Sequence, residues 1–119
     1  MKATHQYATG RTCITAVNYG GRDEIIRGFQ SYITQGGVVA DLTAEQFGQY
    51  LDFGDVAPVD LVIRTKGDVA RRLSGFMSWW IGYAELYFTA AKFPEFDISE
   101  LEKALIWYDS ICEERNFGK

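Results

Sequence analysis

At 119 residues the chain has the length of one domain, enough to bury roughly two thirds of its unfolded surface around a single core. Twelve Lys and Arg against 16 Asp and Glu leave a net charge of −4, which argues against a general nucleic-acid surface. A composition of 47% hydrophobic and 24% charged residues with two prolines shows no disordered or low-complexity stretch, so a globular chain is expected.

The leader Met1 to Arg11 is polar and carries no apolar signal core, from which a cytoplasmic location is expected. Thr12 to Tyr19 (TCITAVNY) is rich in β-branched residues and closed by Gly20-Gly21, the pattern of a buried strand ending in a tight turn. A helix should follow, with Asp23 and Glu24 at the positive end of its dipole and Ile25, Ile26, Phe29 and Ile33 at helical spacing, until Gly36-Gly37 stops it. Thr43 with Gln46 predicts a capping box, with Leu42 and Phe47 as a hydrophobic staple, opening a short helix to about Leu51.

After Pro58, Val59 to Thr65 (VDLVIRT) predicts a second strand with the apolar centre of a parallel sheet covered on both faces. A third helix is predicted from about Ser74 through Trp79, and Tyr83 to Phe88 (YAELYF) alternates as a third strand. Gly75 to Ala91 is the longest apolar run, but Ser78, Glu85 and Thr89 interrupt it, which a membrane span would not tolerate cheaply. Ser99 and Glu102 suggest a capping box for a closing helix whose buried face is Leu101, Ala104, Leu105, Tyr108, Ile111 and Cys112. The two cysteines, Cys13 and Cys112, match neither a zinc site nor a disulfide framework and are expected as reduced core residues.

The alternation of strands and helices predicts an α/β fold, a parallel sheet flanked by helices. Three strands are too few to cover both faces and both edges, so a partner chain or a further segment is expected to complete the sheet.

Ligands of open α/β sheets sit beyond the carboxyl ends of the strands, which directs attention to three clusters. Gly20-Gly21-Arg22 could face an anion with backbone N–H groups and a guanidinium, or could be a plain turn. Arg64 ends a buried strand, where its charge needs a negative partner, either an internal carboxylate or a ligand. Arg72 and Ser74 lie near enough in sequence to share an anionic ligand such as a diphosphate, Ser74 with its hydroxyl and nearby backbone donors. Glu85, a carboxylate in an apolar run, suits Mg2+ or else pairs with water or an arginine on a strand face. His5, the sole histidine, lies in the polar leader and is given no catalytic role. The aromatic group from Phe76 to Phe88 reads as core or subunit interface.

The runs AVNYGGRDEI (Ala16 to Ile25), DLVIRT-KGD (Asp60 to Asp68), RLSGF (Arg72 to Phe76), YAELYF, FPEFD (Phe93 to Asp97) and the ending ERNFG occur in one order from Thr9 to Gly118. In these runs the sequence resembles the cis-prenyltransferases, including undecaprenyl diphosphate synthases. The resemblance implies that residues 1–119 form a single partial domain, the C-terminal half of the family's α/β fold. It implies that Arg64, Arg72 and Ser74 hold the diphosphate of isopentenyl diphosphate, with Glu85 at the Mg2+ and substrate site. Arg22 is an accessory candidate. It also implies an allylic diphosphate co-substrate, a homodimer or a complementary catalytic chain, and peripheral membrane association through the lipid product.

Three departures from the family pattern stand out. The segment His-x-x-Met-Asp-Gly-Asn, which supplies the catalytic aspartate, has no counterpart, so the chain alone is expected to be inactive. The stretch from Gly67 to Arg72 is two residues longer than usual, with Lys66 where Ser or Gly is common and Asp68 where Glu is usual. The terminal Arg-x-Gly appears as Asn116-Phe117-Gly118, leaving Arg115 as the nearest substitute. The readings that follow are a fragment carrying the isopentenyl diphosphate site, a non-catalytic subunit of a heteromeric enzyme, and a dimerising module without ligand.

Overall fold

The computed structural model describes Gly10 and residues 12–112. Three helices, α1 (Gly21–Thr34), α2 (Ala44–Gly48) and α3 (Ile98–Cys112), surround two parallel strands, β1 (Leu61–Arg64) and β2 (Glu85–Phe88). Short 3-10 turns at Val39–Asp41 and Phe93–Glu95 precede α2 and α3. The α/β class holds, in a smaller sheet than the sequence suggests.

Local chemistry places α2 as expected: Thr43 Oγ1 accepts from the Gln46 N–H, and Gln46 returns a bond to the Thr43 N–H, both at 3.2 Å. For α3 the cap is Asp97 and not Ser99, because Asp97 Oδ1 accepts from the Glu100 N–H at 3.0 Å and the Asp97 carbonyl accepts from the Leu101 N–H. Ser99 lies inside the helix.

Two predicted elements do not form. Thr12 to Tyr19 has no strand, and none of its backbone groups pairs with another described backbone group. The stretch Ser74 to Trp79 is a series of turns, since left-handed φ values at Ser74 (52°), Gly75 (73°) and Met77 (47°) interrupt any right-handed helix.

The core is thin. Among the described residues the buried hydrophobic side chains are Tyr32, Phe47, Leu51, Phe53 and Ala104. Helix α1 buries Gly21, Glu24, Gly28 and Tyr32, while its apolar residues Ile26, Phe29 and Ile33 are 58%, 41% and 42% exposed. The face is chosen by close approach: a Cβ on Gly28 would sit 2.6 Å from Leu51 Cδ2, so this glycine seats α1 on the turn after α2. Edge-on ring contacts, Tyr32 with Tyr50 and Phe47 with Trp79, fill that seam at centroid distances of 5.2 and 5.0 Å.

The closing helix keeps part of its predicted face. Ala104 is buried and Tyr108, Ile111 and Cys112 are half-buried, whereas Leu101 and Leu105 are exposed. Cys13, expected in the core, is exposed because its strand is not formed. Of the aromatic group, Phe76, Trp79, Tyr83 and Phe88 are exposed. No helix among the described residues is long and apolar enough to cross a membrane.

Candidate functional site

Strand β1 ends at Arg64, and the chain turns back through Lys66 at φ 54°. The Lys66 N–H donates to the Ala91 carbonyl at 2.8 Å and the Gly67 N–H to the Thr89 carbonyl at 2.7 Å, so the turn is fixed to the exit of β2. A Cβ on Gly67 would lie 2.7 Å from that of Phe88, which explains a glycine here. Arg71 Nε donates to the Gly67 carbonyl at 3.3 Å and closes the loop on itself.

The Arg64 side chain is half-buried, and its Nε is buried without a hydrogen-bond partner. The ion pairs between described residues are Arg27–Asp52, Lys92–Glu95 and Lys103–Glu100, and Arg64 is in none of them. A buried donor left unmade costs about 1–3 kcal/mol, so this strand end is stabilised by whatever acceptor reaches it.

At the other end of the loop, the Gly21 N–H at the start of α1 donates to the Gly75 carbonyl at 3.0 Å, and Ser78 Oγ donates to the same oxygen. This bond sets Ser74 beside the helix start that carries Arg22. Arg22, Arg72 and Ser74 are all exposed. Ser74 adopts the left-handed region without being glycine, a conformation that costs on the order of 1–3 kcal/mol and is held by its surroundings. Its predicted role at a helix N-terminus is corrected: the residue sits in a turn, so its hydroxyl and not a helix end is what it offers.

Glu85 opens β2 and is half-buried, opposite Leu61, while Arg64 is opposite Phe88. The carboxylate thus lies near the amino end of the strand pair, about 10 Å along the strands from Arg64, and not beyond the carboxyl ends. Among the described residues no three His, Cys, Asp or Glu side chains converge. One carboxylate falls short of a protein-made Mg2+ site, which would need oxygens from a bound diphosphate or from outside the described residues. Arg115 and the ERNFG ending lie outside the described residues.

A feature that sequence reasoning missed stands behind the loop. Glu24, fully buried, accepts hydrogen bonds from the Tyr19 hydroxyl, the Asp52 N–H at 3.0 Å and the Trp80 indole N–H at 3.2 Å. One carboxylate thereby ties the segment before α1, the turn after α2 and the segment after Ser74. As an acid in the first turn it reads in sequence as a dipole partner, and nothing local signals its distant donors.

Burial, then the bond to Glu24, pushes the Tyr19 phenol well above its ordinary value of 10.0. A raised folded value means the unfolded chain loses this proton first. The contribution is therefore complete below pH 10 and is lost as pH climbs through the folded value. Urea midpoints should fall between pH 9 and pH 11, and Tyr19→Phe should flatten that fall; an equal decline in both proteins would remove Tyr19 as its source.

A small parallel α/β unit whose strand end holds an unsatisfied guanidinium, with a serine and a further arginine on the following loop, belongs to the class of anion-facing α/β proteins. A family model described as "Putative undecaprenyl diphosphate synthase" matches residues 1–118. The chain belongs to this family, the cis-prenyltransferases. It is 41% identical over 121 residues to the (2E,6E)-farnesyl-diphosphate-specific ditrans,polycis-undecaprenyl-diphosphate synthase of Salmonella typhi, covering 98% of this chain and 46% of that protein. Among solved structures it is similar to a probable undecaprenyl diphosphate synthase from Campylobacter jejuni (36% identity, TM-score 0.71, covering 87% of this chain and 45% of that one). It is likewise similar to lavandulyl diphosphate synthase from Lavandula x intermedia in complex with dimethylallyl diphosphate (34% identity, TM-score 0.69, covering 87% and 44%). The chain thus spans less than half the length of these relatives.

Proposed function

We propose that this chain is the C-terminal, isopentenyl diphosphate-binding half of a cis-prenyltransferase domain and is inactive alone. The observation that carries the reading is the buried, unpartnered Nε of Arg64 at the carboxyl end of β1, on a chain of this family. A diphosphate oxygen would satisfy that donor, and Arg72 and the Ser74 hydroxyl would close on the same group from the loop. In prenyl transfer these cations would anchor the diphosphate of isopentenyl diphosphate so that its double bond faces the allylic carbon. Mg2+, with Glu85 as one oxygen ligand, would assist departure of the allylic diphosphate when bound. The catalytic aspartate and the allylic site would come from the complementary half, in a homodimer or a heteromeric pair.

Calorimetric titration with isopentenyl diphosphate, with and without Mg2+, tests this. Saturable binding is expected, and Arg64→Ala or Arg72→Ala should weaken it by about 10–100-fold, the loss of one charge-assisted hydrogen bond of about 1.5–3 kcal/mol. Unchanged affinity in both variants would remove the arginines from the site, and prenyl transfer by the chain alone would refute inactivity.

A further inference from the structure

The segment Thr12 to Tyr19 carries a conflict between sequence and structure. Its residues, β-branched and apolar on alternate positions, are those of a strand buried on both faces. In the folded chain it forms no ladder, Val17 is 82% exposed, and Cys13 is exposed.

The space around it is shaped like something missing. A groove of about 460 Å³ runs along Ile14 to Tyr19 and is walled by Arg27, Asp52 and Phe53. A smaller apolar cavity of about 80 Å³ separates Ile14 and Ala16 from Val56, Phe76 and Trp80. The helix that follows the segment turns Ile26, Phe29 and Ile33 outward, and the sheet stops at two strands. An unpaired strand-forming segment, an uncovered apolar helix stripe and a two-stranded sheet are deficits of one kind: each lacks a layer.

More than half of the Salmonella synthase lies outside its match to this chain. A second copy of this chain would bring the same deficits and no further strand to meet them. We propose that Thr12–Tyr19 is a docking strand, disengaged in the isolated chain, that enters the sheet when the part of the synthase domain this chain does not contain packs against it and against the outer face of α1. This rests on the reading of the chain as part of a synthase domain, but it concerns assembly and not diphosphate binding.

Cys13 supplies the probe. In a Cys112→Ser background, Cys13 is the one remaining thiol, and a maleimide reagent should modify it rapidly in the chain alone. Co-refolding with a polypeptide comprising the unmatched part of the Salmonella synthase should slow that modification by about tenfold or more, as burial in a strand requires the site to open first. Ala16→Pro removes one backbone N–H. Because Ala16 makes no described ladder bond in the isolated chain, this variant should keep the isolated fold while weakening assembly by about tenfold or more, the effect of a proline in a central strand.

Assembly in which Cys13 stays fully reactive, or to which Ala16→Pro is indifferent, would overturn the proposal. So would failure to assemble at any ratio, or protection of Cys13 in a dimer of the chain alone, which would assign the segment to a second copy. Protection of Cys13 without isopentenyl diphosphate binding would leave the docking strand standing and remove the binding function; binding without protection would do the reverse.

Discussion

Glu24→Leu should destabilise the chain by about 3–5 kcal/mol, enough to leave little of it folded, because the substitution strands three donors at once. The Tyr19 hydroxyl, the Asp52 N–H and the Trp80 indole all converge on the carboxylate, which is fully buried. Each buried donor left unmade costs about 1–3 kcal/mol, and leucine returns part of this by packing, so the net sits toward the lower end of their sum.

Glu24→Gln separates the hydrogen bonds from mere bulk. The Asp52 and Trp80 donors share Oε1, which the amide carbonyl reproduces, and the Tyr19 hydroxyl can accept from the amide nitrogen instead of donating to Oε2. A loss of only about 1 kcal/mol is therefore expected for glutamine. Urea unfolding followed by tryptophan fluorescence would read both variants, with Trp80 reporting directly on the contact. A leucine variant within about 1 kcal/mol of the parent would show that the hub carries no stability.

Elements written by local chemistry were legible in the sequence, and those that depend on distant partners were not. The Thr43–Gln46 box is a contact three residues long, and it forms as read. The strands at Leu61–Arg64 and Glu85–Phe88 lie inside the predicted runs but shorter, since each finds a neighbour on one side within the described chain. Thr12 to Tyr19 has full strand character, yet a ladder needs a second strand and none is described beside it. Apolar spacing in α1 identified a helix but not its buried face, which Gly21, Gly28 and Glu24 decide through contacts with residues around 51 and 75.

The site divides in the same way. Arg64, Arg72 and Ser74 were legible as charge and hydroxyl near a strand end, and the structure keeps Arg64 at that end. The conformation that presents Ser74 was hidden, because a left-handed serine has no signature of its own and the helix expected there rested on apolar spacing alone. Glu85 was legible as an odd carboxylate in an apolar run. Its position at the amino end of β2 follows from the parallel register, which one strand cannot reveal.

Gly21→Ala should cost about 1–3 kcal/mol and carry diphosphate affinity down with it, the second large effect expected. A Cβ there would lie 2.4 Å from the Gly75 carbonyl oxygen and 2.9 Å from the Ser78 backbone nitrogen. Both obstacles are main chain, so relief requires the Ser74–Ser78 turn to move away and the 3.0 Å bond from the Gly21 N–H to Gly75 to break. Alanine also favours the helix by up to about 1 kcal/mol over glycine, which opposes the clash without matching it.

The consequence for binding follows from the same bond, since it sets Ser74 beside α1. With the turn displaced, the proposed diphosphate site should lose the Ser74 hydroxyl, and affinity for isopentenyl diphosphate should fall by about tenfold, one hydrogen bond's worth. Gly82→Ala is the control, because its Cβ would meet nothing within 4 Å. It should change stability by less than about 0.5 kcal/mol and leave binding alone. Thermal unfolding and calorimetry on the two variants test the pair. Equal behaviour would mean that the approach of α1 to the loop does not set the site, whereas loss confined to Gly21→Ala ties the seating of one helix to the presentation of the anion-facing serine.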